Sequence, residues 1–389
     1  MHSNKLNMKK IVRITTVPIS LKILLKGQPK FMSSYYEVLG ISSFGQELLD
    51  VSLEEGIRVV PLEMTRTISP LKDLKSLYLL YKILKKEKPF VVHTHTPKAG
   101  IIGMLASKLV GVPNRLHTVA GLPLMEAKGN KRRLLNFIEK LTYKCATKVY
   151  PNSNELYNFI LDNKYIKPEK IKVLGNGSSN GINTSFFDSE NFSEIERDSL
   201  RTNLGINKND FVYVFVGRLV GDKGINELVK AFNKIEQLDV KLLLVGPLES
   251  DLDKLQSHVL QEIAENNKII SVGHQNDVRL YLSISHVLVF PSYREGFPNV
   301  VMQAGAMELP SIVTNINGCN EIIVEDINGT IIPVKNIQIL YEAMIKFYLD
   351  RGYMLKLKSN ARQMITKRYE QNVVWNAILS EYKSLEKNV

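Results

Sequence analysis

Two segments in the second half of this chain carry residue types able to manage a charged ligand. Val216-Gly-Arg-Leu-Val-Gly-Asp-Lys-Gly224 follows an apolar run and leads into a helical pattern from about Ile225. Gly217 permits a tight turn, which leaves Arg218 and Lys223 beside a helix N-terminus. Two fixed cations there would hold a diphosphate and stabilise negative charge building on it as it leaves. Solvated loop cations are the plain alternative. Further on, Phe290-Pro-Ser-Tyr-Arg-Glu-Gly-Phe-Pro-Asn-Val-Val-Met-Gln-Ala304 runs from an apolar strand through a turn into a helix. Pro298 stands where a first helical residue is favoured, so the backbone donors around Phe297, Asn299 and Val300 are expected to be free. Glu295, just before that turn, would accept hydrogen bonds from sugar hydroxyls, and Gln303 follows on the helix.

The first half offers imidazoles. Val91-Val-His-Thr-His-Thr-Pro-Lys-Ala-Gly100 puts His93 and His95 at a strand end ahead of a helix that Lys98 opens. Two histidines at i and i+2 lack a third ligand at suitable spacing, so a metal site is not expected. Arg115-Leu-His-Thr-Val-Ala-Gly-Leu-Pro123 places His117 in a strand and Gly121 past its end, with Glu126 the nearest downstream carboxylate. Along the helical pattern from Lys131, the residues Arg133, Lys140, Lys144 and Lys148 fall on one face. Asp251-Leu-Asp253 reads as capping charge at a helix start.

The elements that must position these groups alternate regularly. Short β-branched runs, among them Ile11–Thr16, Phe90–His93, Leu116–Val119, Ile171–Leu174, Phe211–Val216 and Val287–Phe290, are separated by amphipathic helical patterns. Continuous apolar strands between such helices indicate parallel sheets covered on both faces. Two such series imply an α/β fold of two doubly wound domains. The expected boundaries are a first domain over 1–182, a hinge and linker over 183–209 beginning at the glycine-rich Gly175–Gly181, and a second domain over 210–369. One long amphipathic helix, Tyr369–Lys387, ends the pattern. Two cysteines, Cys145 and Cys319, make no CxxC pattern and exclude a disulfide framework. No apolar stretch approaches bilayer length, and no targeting segment is visible. The formal charge of +12 is uneven: residues 1–182 hold 29 Lys+Arg against 13 Asp+Glu, while the remainder is mildly acidic. The basic half is expected to meet a polyanion, such as an anionic lipid surface.

The second segment resembles the signature of glycosyltransferase family 4, in which two glutamates are separated by seven residues. The Gly217–Gly224 segment resembles that family's diphosphate-binding loop, and Thr314, Gly318 and Glu321 match its usual continuation. The resemblance implies the GT-B architecture, two Rossmann-like domains facing across a cleft, with the last helix (370–389) crossing back to the first domain. It implies catalytic roles for Arg218, Lys223 and Glu295, with His117 as the nearest imidazole. Gly217, Phe297, Pro298, Asn299, Val300 and Gln303 would bind the nucleotide sugar, and His95, Lys98 and Gly121 would line the acceptor side of the cleft. Two departures stand out. Gln303 replaces the second glutamate, and Ala120 holds the place of the histidine often found against the donor sugar.

The implied activity is transfer of a hexose or N-acetylhexosamine from a nucleotide sugar, expected to be UDP-linked, with retained anomeric configuration and neither cofactor nor metal. A polyprenyl-diphosphate-linked or polysaccharide acceptor, an anionic membrane and the inner face of the plasma membrane complete the expectation. Nucleic acid is not an expected partner, since no recognised binding motif accompanies the basic charge. A nucleotide-sugar 2-epimerase of similar architecture is the alternative enzyme. A two-lobed solute-binding protein would need an export signal, and a dinucleotide oxidoreductase a different glycine spacing at Gly175–Gly181.

Overall fold

The computed structural model describes residues 8–67, 69–125, 127–235, 239–249 and 253–387. The chain divides into two compact units, one of Met1–Gly181 with Asn372–Val389 and one of Ile182–Gln371. In the first, β1 (Lys10–Ile14), β2 (Glu37–Ser42), β3 (Arg58–Pro61), β4 (Val91–Thr94), β5 (Asn114–Val119) and β6 (Lys148–Pro151) form a sheet in the order β3-β2-β1-β4-β5-β6. All its strand pairs are parallel. Successive residues of a strand face opposite sides, yet Ile11 and Val12 are both fully buried, as a sheet with helices on both faces requires.

The second unit repeats the plan. Its strands are β7 (Phe211–Val216), β8 (Val240–Val245), β9 (Ile269–Ser271), β10 (Val287–Phe290), β11 (Ser311–Thr314) and β12 (Gly329–Ile332), ordered β12-β11-β10-β7-β8-β9, again parallel. In each unit the chain builds outward from its first strand and then crosses to that strand's other side. The reversal lies between β1 and β4 in one unit and between β7 and β10 in the other. Crevices outside the carboxyl ends of such strand pairs are where open sheets hold ligands.

Arg13 interrupts the apolar pattern of β1. It is 1% exposed, donating to Tyr382 Oη at 2.7 Å and to Gln28 Oε1. Tyr382 lies on the helix Gln371–Glu386, which buries Val374, Ile378, Leu379 and Leu385 beside Ile11 and Leu21.

Several local expectations are corrected. The expected last helix is present as Gln371–Glu386, and a separate helix, Arg351–Tyr369, precedes it. Between them Glu370 is extended, because Ile182 exchanges backbone bonds with Tyr369 (2.7 Å) and Gln371 (3.0 Å). The 183–209 stretch is folded rather than a linker. It contains the helix Glu194–Asn203, with a Ser193–Glu196 capping box, and packs Phe187, Phe192, Leu200 and Leu204 on the second unit's core. Ile171 makes a single bridge to Val149 and no strand. Lys148 opens β6, beyond the end of the basic helix Gly129–Cys145. Asp251 lies outside the described residues, and Asp253 precedes the next helix, Ser257–Glu265, by too much to cap it. Its carbonyl instead accepts from Gly221 N at 3.0 Å.

Candidate active site

The second unit assembles its candidate site at the β7–β10 reversal. Beyond β7 the chain is held to the β8 loop by Gly217 N donating to Val245 O (2.9 Å) and Leu219 N to Pro247 O (2.8 Å). A single 3-10 turn, Gly221–Lys223, then hands over to the helix Ile225–Asn233 through Gly224. Gly224 has φ +72°, and a Cβ there would stand 2.2 Å from Pro291 O. The turn and the end of β10 therefore meet backbone to backbone, which only glycine allows.

The β10 loop is knitted to that turn. Tyr293 N donates to Asp222 O at 2.9 Å, and Arg294 pairs with the Asp222 carboxylate at 2.9 Å. Lys223 Nζ forms an ion pair with Glu295 Oε1, the two side chains being 15% and 17% exposed. Ser292 Oγ donates to the same carboxylate oxygen at 2.9 Å. From beyond β11, Asn317 Nδ2 donates to Glu295 O (3.1 Å) and Gly296 O (2.5 Å), and Thr314 Oγ1 donates to Ser292 O. Burial pushes the Cys319 thiol well above its ordinary value, the Glu295 charge adding to the effect and Lys223 opposing it.

The structure thus brings Lys223 and Glu295 into contact. Arg218 belongs to the same loop, but its guanidinium turns to Glu249 at 3.2 Å and stays 44% exposed. Pro298 is the N-cap rather than the first residue of the helix Asn299–Ala306, a correction of one position. Phe297 sets its ring edge-on to Tyr369, with centroids 5.4 Å apart, and packs against the core, so its side chain is occupied. Asn299 is exposed, while Val300 and Gln303 are partly buried on the first two turns. The opening amides of that helix lack intrahelical acceptors and form an edge suited to an anion. Ser292, Asn317 and Glu249 carry no motif that marks them in the sequence. Their one legible signal is position just past a strand's carboxyl end.

In the first unit the histidines are mostly structural. His93 is buried between Tyr382 Oη (2.6 Å) and Thr118 Oγ1 (2.8 Å). His117 is 3% exposed, its Nδ1 2.8 Å from Thr94 Oγ1. It fills the space left by Gly100, whose Cβ would lie 2.6 Å from its ring. Burial lowers its pKa to about 4. His117 is thus a buried group packed under the helix Pro97–Val110. His95 differs. It is 5% exposed, and neither ring nitrogen has a hydrogen-bond partner among the described residues. Burial, then the charges of His93 and Arg13, hold its pKa well below the usual imidazole value. Lys98 Nζ pairs with Asp73 at 2.5 Å. Gly121 follows β5 with open space where a Cβ would stand, and Glu126 lies outside the described residues. Among the described residues no group of three or more His, Cys, Asp or Glu is placed to hold a metal ion, and no helix is long and apolar enough to cross a membrane.

Comparison with known proteins places this geometry. Residues 196–364 match the family described as "Glycosyl transferases group 1" and residues 24–153 that described as "Glycosyl transferase 4-like". The capsular polysaccharide biosynthesis glycosyltransferase CapM of Staphylococcus aureus is 34% identical over 97% of this chain and 98% of its own. An Escherichia coli UDP-Gal:alpha-D-GlcNAc-diphosphoundecaprenol alpha-1,3-galactosyltransferase is 31% identical over 91% of this chain and 92% of its own. The crystal structure of a glycosyltransferase from Rickettsia africae superposes with a TM-score of 0.84 at 23% identity, covering 98% of this chain and 100% of that one. With twin parallel sheets, a paired lysine and glutamate at the second reversal and relatives of this length, the chain belongs to the family 4-like glycosyltransferases of GT-B fold and is a glycosyltransferase.

Proposed function

We propose that this enzyme transfers a hexose or N-acetylhexosamine from a UDP-sugar to a polyprenyl-diphosphate-linked glycan during assembly of a cell-surface polysaccharide, at the inner face of the plasma membrane. The observation that carries the reading is the Lys223–Glu295 pair held at the β7–β10 reversal. Lys223 supplies a fixed cation for the donor diphosphate, and Glu295 both orients it and stands ready for sugar hydroxyls. Arg218, half-exposed, exchanges Glu249 for phosphate oxygen. The donor base and the acceptor lipid follow the name of the E. coli relative, and the polysaccharide setting follows that of the S. aureus relative.

In this reading the bond from the sugar's anomeric carbon to the β-phosphate oxygen breaks as the acceptor oxygen bonds on the same face. The acceptor proton passes to the departing phosphate oxygen, so UDP carries it away and configuration is retained. Lys223, Arg218 and the helix-start amides meet the charge that develops, in the role a metal ion plays elsewhere, and none is required. His117, sealed in the strand–helix layer, takes no part. The epimerase alternative is not adopted, since both relatives named above are glycosyltransferases.

A thermal-shift comparison of UDP, GDP and their sugar conjugates tests the donor, because a ligand stabilises the state it binds according to occupancy. UDP and a UDP-sugar should raise the melting temperature of the wild type but not of Arg218→Ala/Lys223→Ala. Transfer by that double variant should fall by on the order of 10³-fold or more. Turnover equal to wild type would remove the proposal.

A further inference from the structure

The first unit contains a cavity of about 840 Å³ that the chemistry above leaves unused. Its lining includes Thr16 and Val17, which follow β1, and Thr96, which follows β4, at the unit's own reversal point, together with residues of the helices Pro70–Glu87, Pro97–Val110 and Gly129–Cys145. Its walls are aliphatic: Leu74 and Leu77, Ile101 and Leu105, Leu135 and Ile138. Its remaining charged lining is Arg66, Lys98 and Lys131, with Asp73 paired to Lys98 and Glu139 buried on the third helix. Burial raises the Glu139 carboxyl to about 7, which keeps that wall only weakly anionic near neutrality. One of the aliphatic wall residues, Leu74, is 64% exposed.

A cavity of this size suits a ligand of drug-like dimensions or larger. Its composition asks for a long apolar chain joined to an anion. Water alone would wet the aliphatic wall at a cost, and a purely polar ligand would leave the wall unmatched. Three cations against one paired and one partly protonated acid match a diphosphate. We propose that this cavity seats the first isoprene units of a prenyl-diphosphate-linked acceptor, with Arg66, Lys98 and Lys131 gathered around its diphosphate. The inference rests on the acceptor class proposed above and deepens it. The enzyme would hold the lipid itself as well as the sugar the lipid carries. Exposed Leu74 lets the remaining chain leave toward solvent, so only its proximal part need enter.

Direct binding tests this without knowledge of the acceptor's sugar. Isothermal titration of the full chain with farnesyl diphosphate, isopentenyl diphosphate and farnesol separates chain from charge. Farnesyl diphosphate should bind at least roughly 10²-fold more tightly than isopentenyl diphosphate, since each buried methylene contributes several-fold. Farnesol should bind about tenfold or more weakly than farnesyl diphosphate. Leu135→Glu should abolish the chain-length preference. Leu74→Asp, at a mostly exposed position and so safe for folding, should reduce it severalfold, with the UDP thermal shift unchanged in both. Equal affinity for the two diphosphates, or a preference untouched in both variants, overturns the cavity assignment. If prenyl-diphosphate glycans are nevertheless glycosylated, the acceptor reading survives that failure. If instead farnesyl diphosphate binds as expected but no such glycan is a substrate, the acceptor reading falls and the cavity remains a prenyl-diphosphate site.

Discussion

Replacing Gly224 by Ala perturbs the joint between the two loops that carry Lys223 and Glu295. The residue sits at φ +72°, and its new Cβ would lie 2.2 Å from Pro291 O. Left-handed backbone costs an L-residue roughly 1–2 kcal/mol. Ordinary contact between carbon and oxygen needs roughly 1 Å more than is available, so the 3-10 turn and the end of β10 must part by about that much. Such forced repacking adds about 1–3 kcal/mol. Gly205 supplies the control: it has φ +64° with nothing within 4 Å of an added methyl, so Gly205→Ala meets the backbone term alone. The two variants should therefore differ in unfolding free energy by about 1–3 kcal/mol, read by urea titration. Because Lys223 precedes Gly224 and Glu295 follows Pro291, a displacement of about 1 Å should also lower kcat by on the order of 10²-fold for Gly224→Ala. UDP release at saturating donor and acceptor measures this. Equal stability losses in the two variants, with wild-type turnover in both, would refute the claim that backbone contact at Gly224 sets the Lys223–Glu295 geometry.

Gln303→Glu restores a charged acceptor on the helix beyond Pro298 and should tighten UDP binding about fivefold, roughly 1 kcal/mol, in isothermal titration; unchanged or weaker binding would remove Gln303 from the nucleotide contact. His117→Ala should destabilise the fold by about 1–3 kcal/mol, since it removes one of the two partners of Thr94 Oγ1 and leaves a void under Gly100, while kcat/KM stays within about twofold; a large loss of turnover in folded enzyme would reinstate the imidazole as catalytic. Glu139 has a folded pKa of about 7 against an ordinary value of 4.5. Its protonated form is the one the fold prefers, so the stability it contributes is complete below pH 4.5 and is lost as pH rises through 7. The loss should reach about 3 kcal/mol by about pH 8. Glu139→Gln should flatten that part of the stability–pH curve; an identical slope in the variant would show that another group is responsible.

Most of the strands are legible because period and composition report them directly. A run such as Phe211–Val216, apolar at every position, fits only a strand covered on both sides. The cationic loop and Glu295 are legible for a similar reason, as short motifs fixed to strand ends. Other features have no linear signature. The pairing of Arg218 with Glu249 depends on two loops that only the sheet makes neighbours. His117 reads only as the nearest imidazole to the place Ala120 holds, and the room that Gly100 makes for its ring shows it to be interior. The break at Glu370 follows from backbone exchange with Ile182, far away in sequence. The 183–209 stretch reads as a linker because its few aromatic and leucine anchors are spread among many polar residues. The aliphatic cavity is hidden because each of its walls alone looks like an ordinary amphipathic helix.

The placement of the helix Gln371–Glu386 has a consequence for biogenesis. β1, with its buried Arg13, is made before the second unit and waits for Tyr382 until the whole of that unit has been synthesised. Until then the Ile11 and Leu21 side of the nascent sheet lacks its cover, and Arg13 lacks one of its two acceptors. The second unit can close while still tethered, but the first is completed only once the helix Gln371–Glu386 has emerged. Chains ended at Gln371 and released from the ribosome should accordingly present a folded Ile182–Gln371 unit beside a sticky, protease-sensitive precursor of the other.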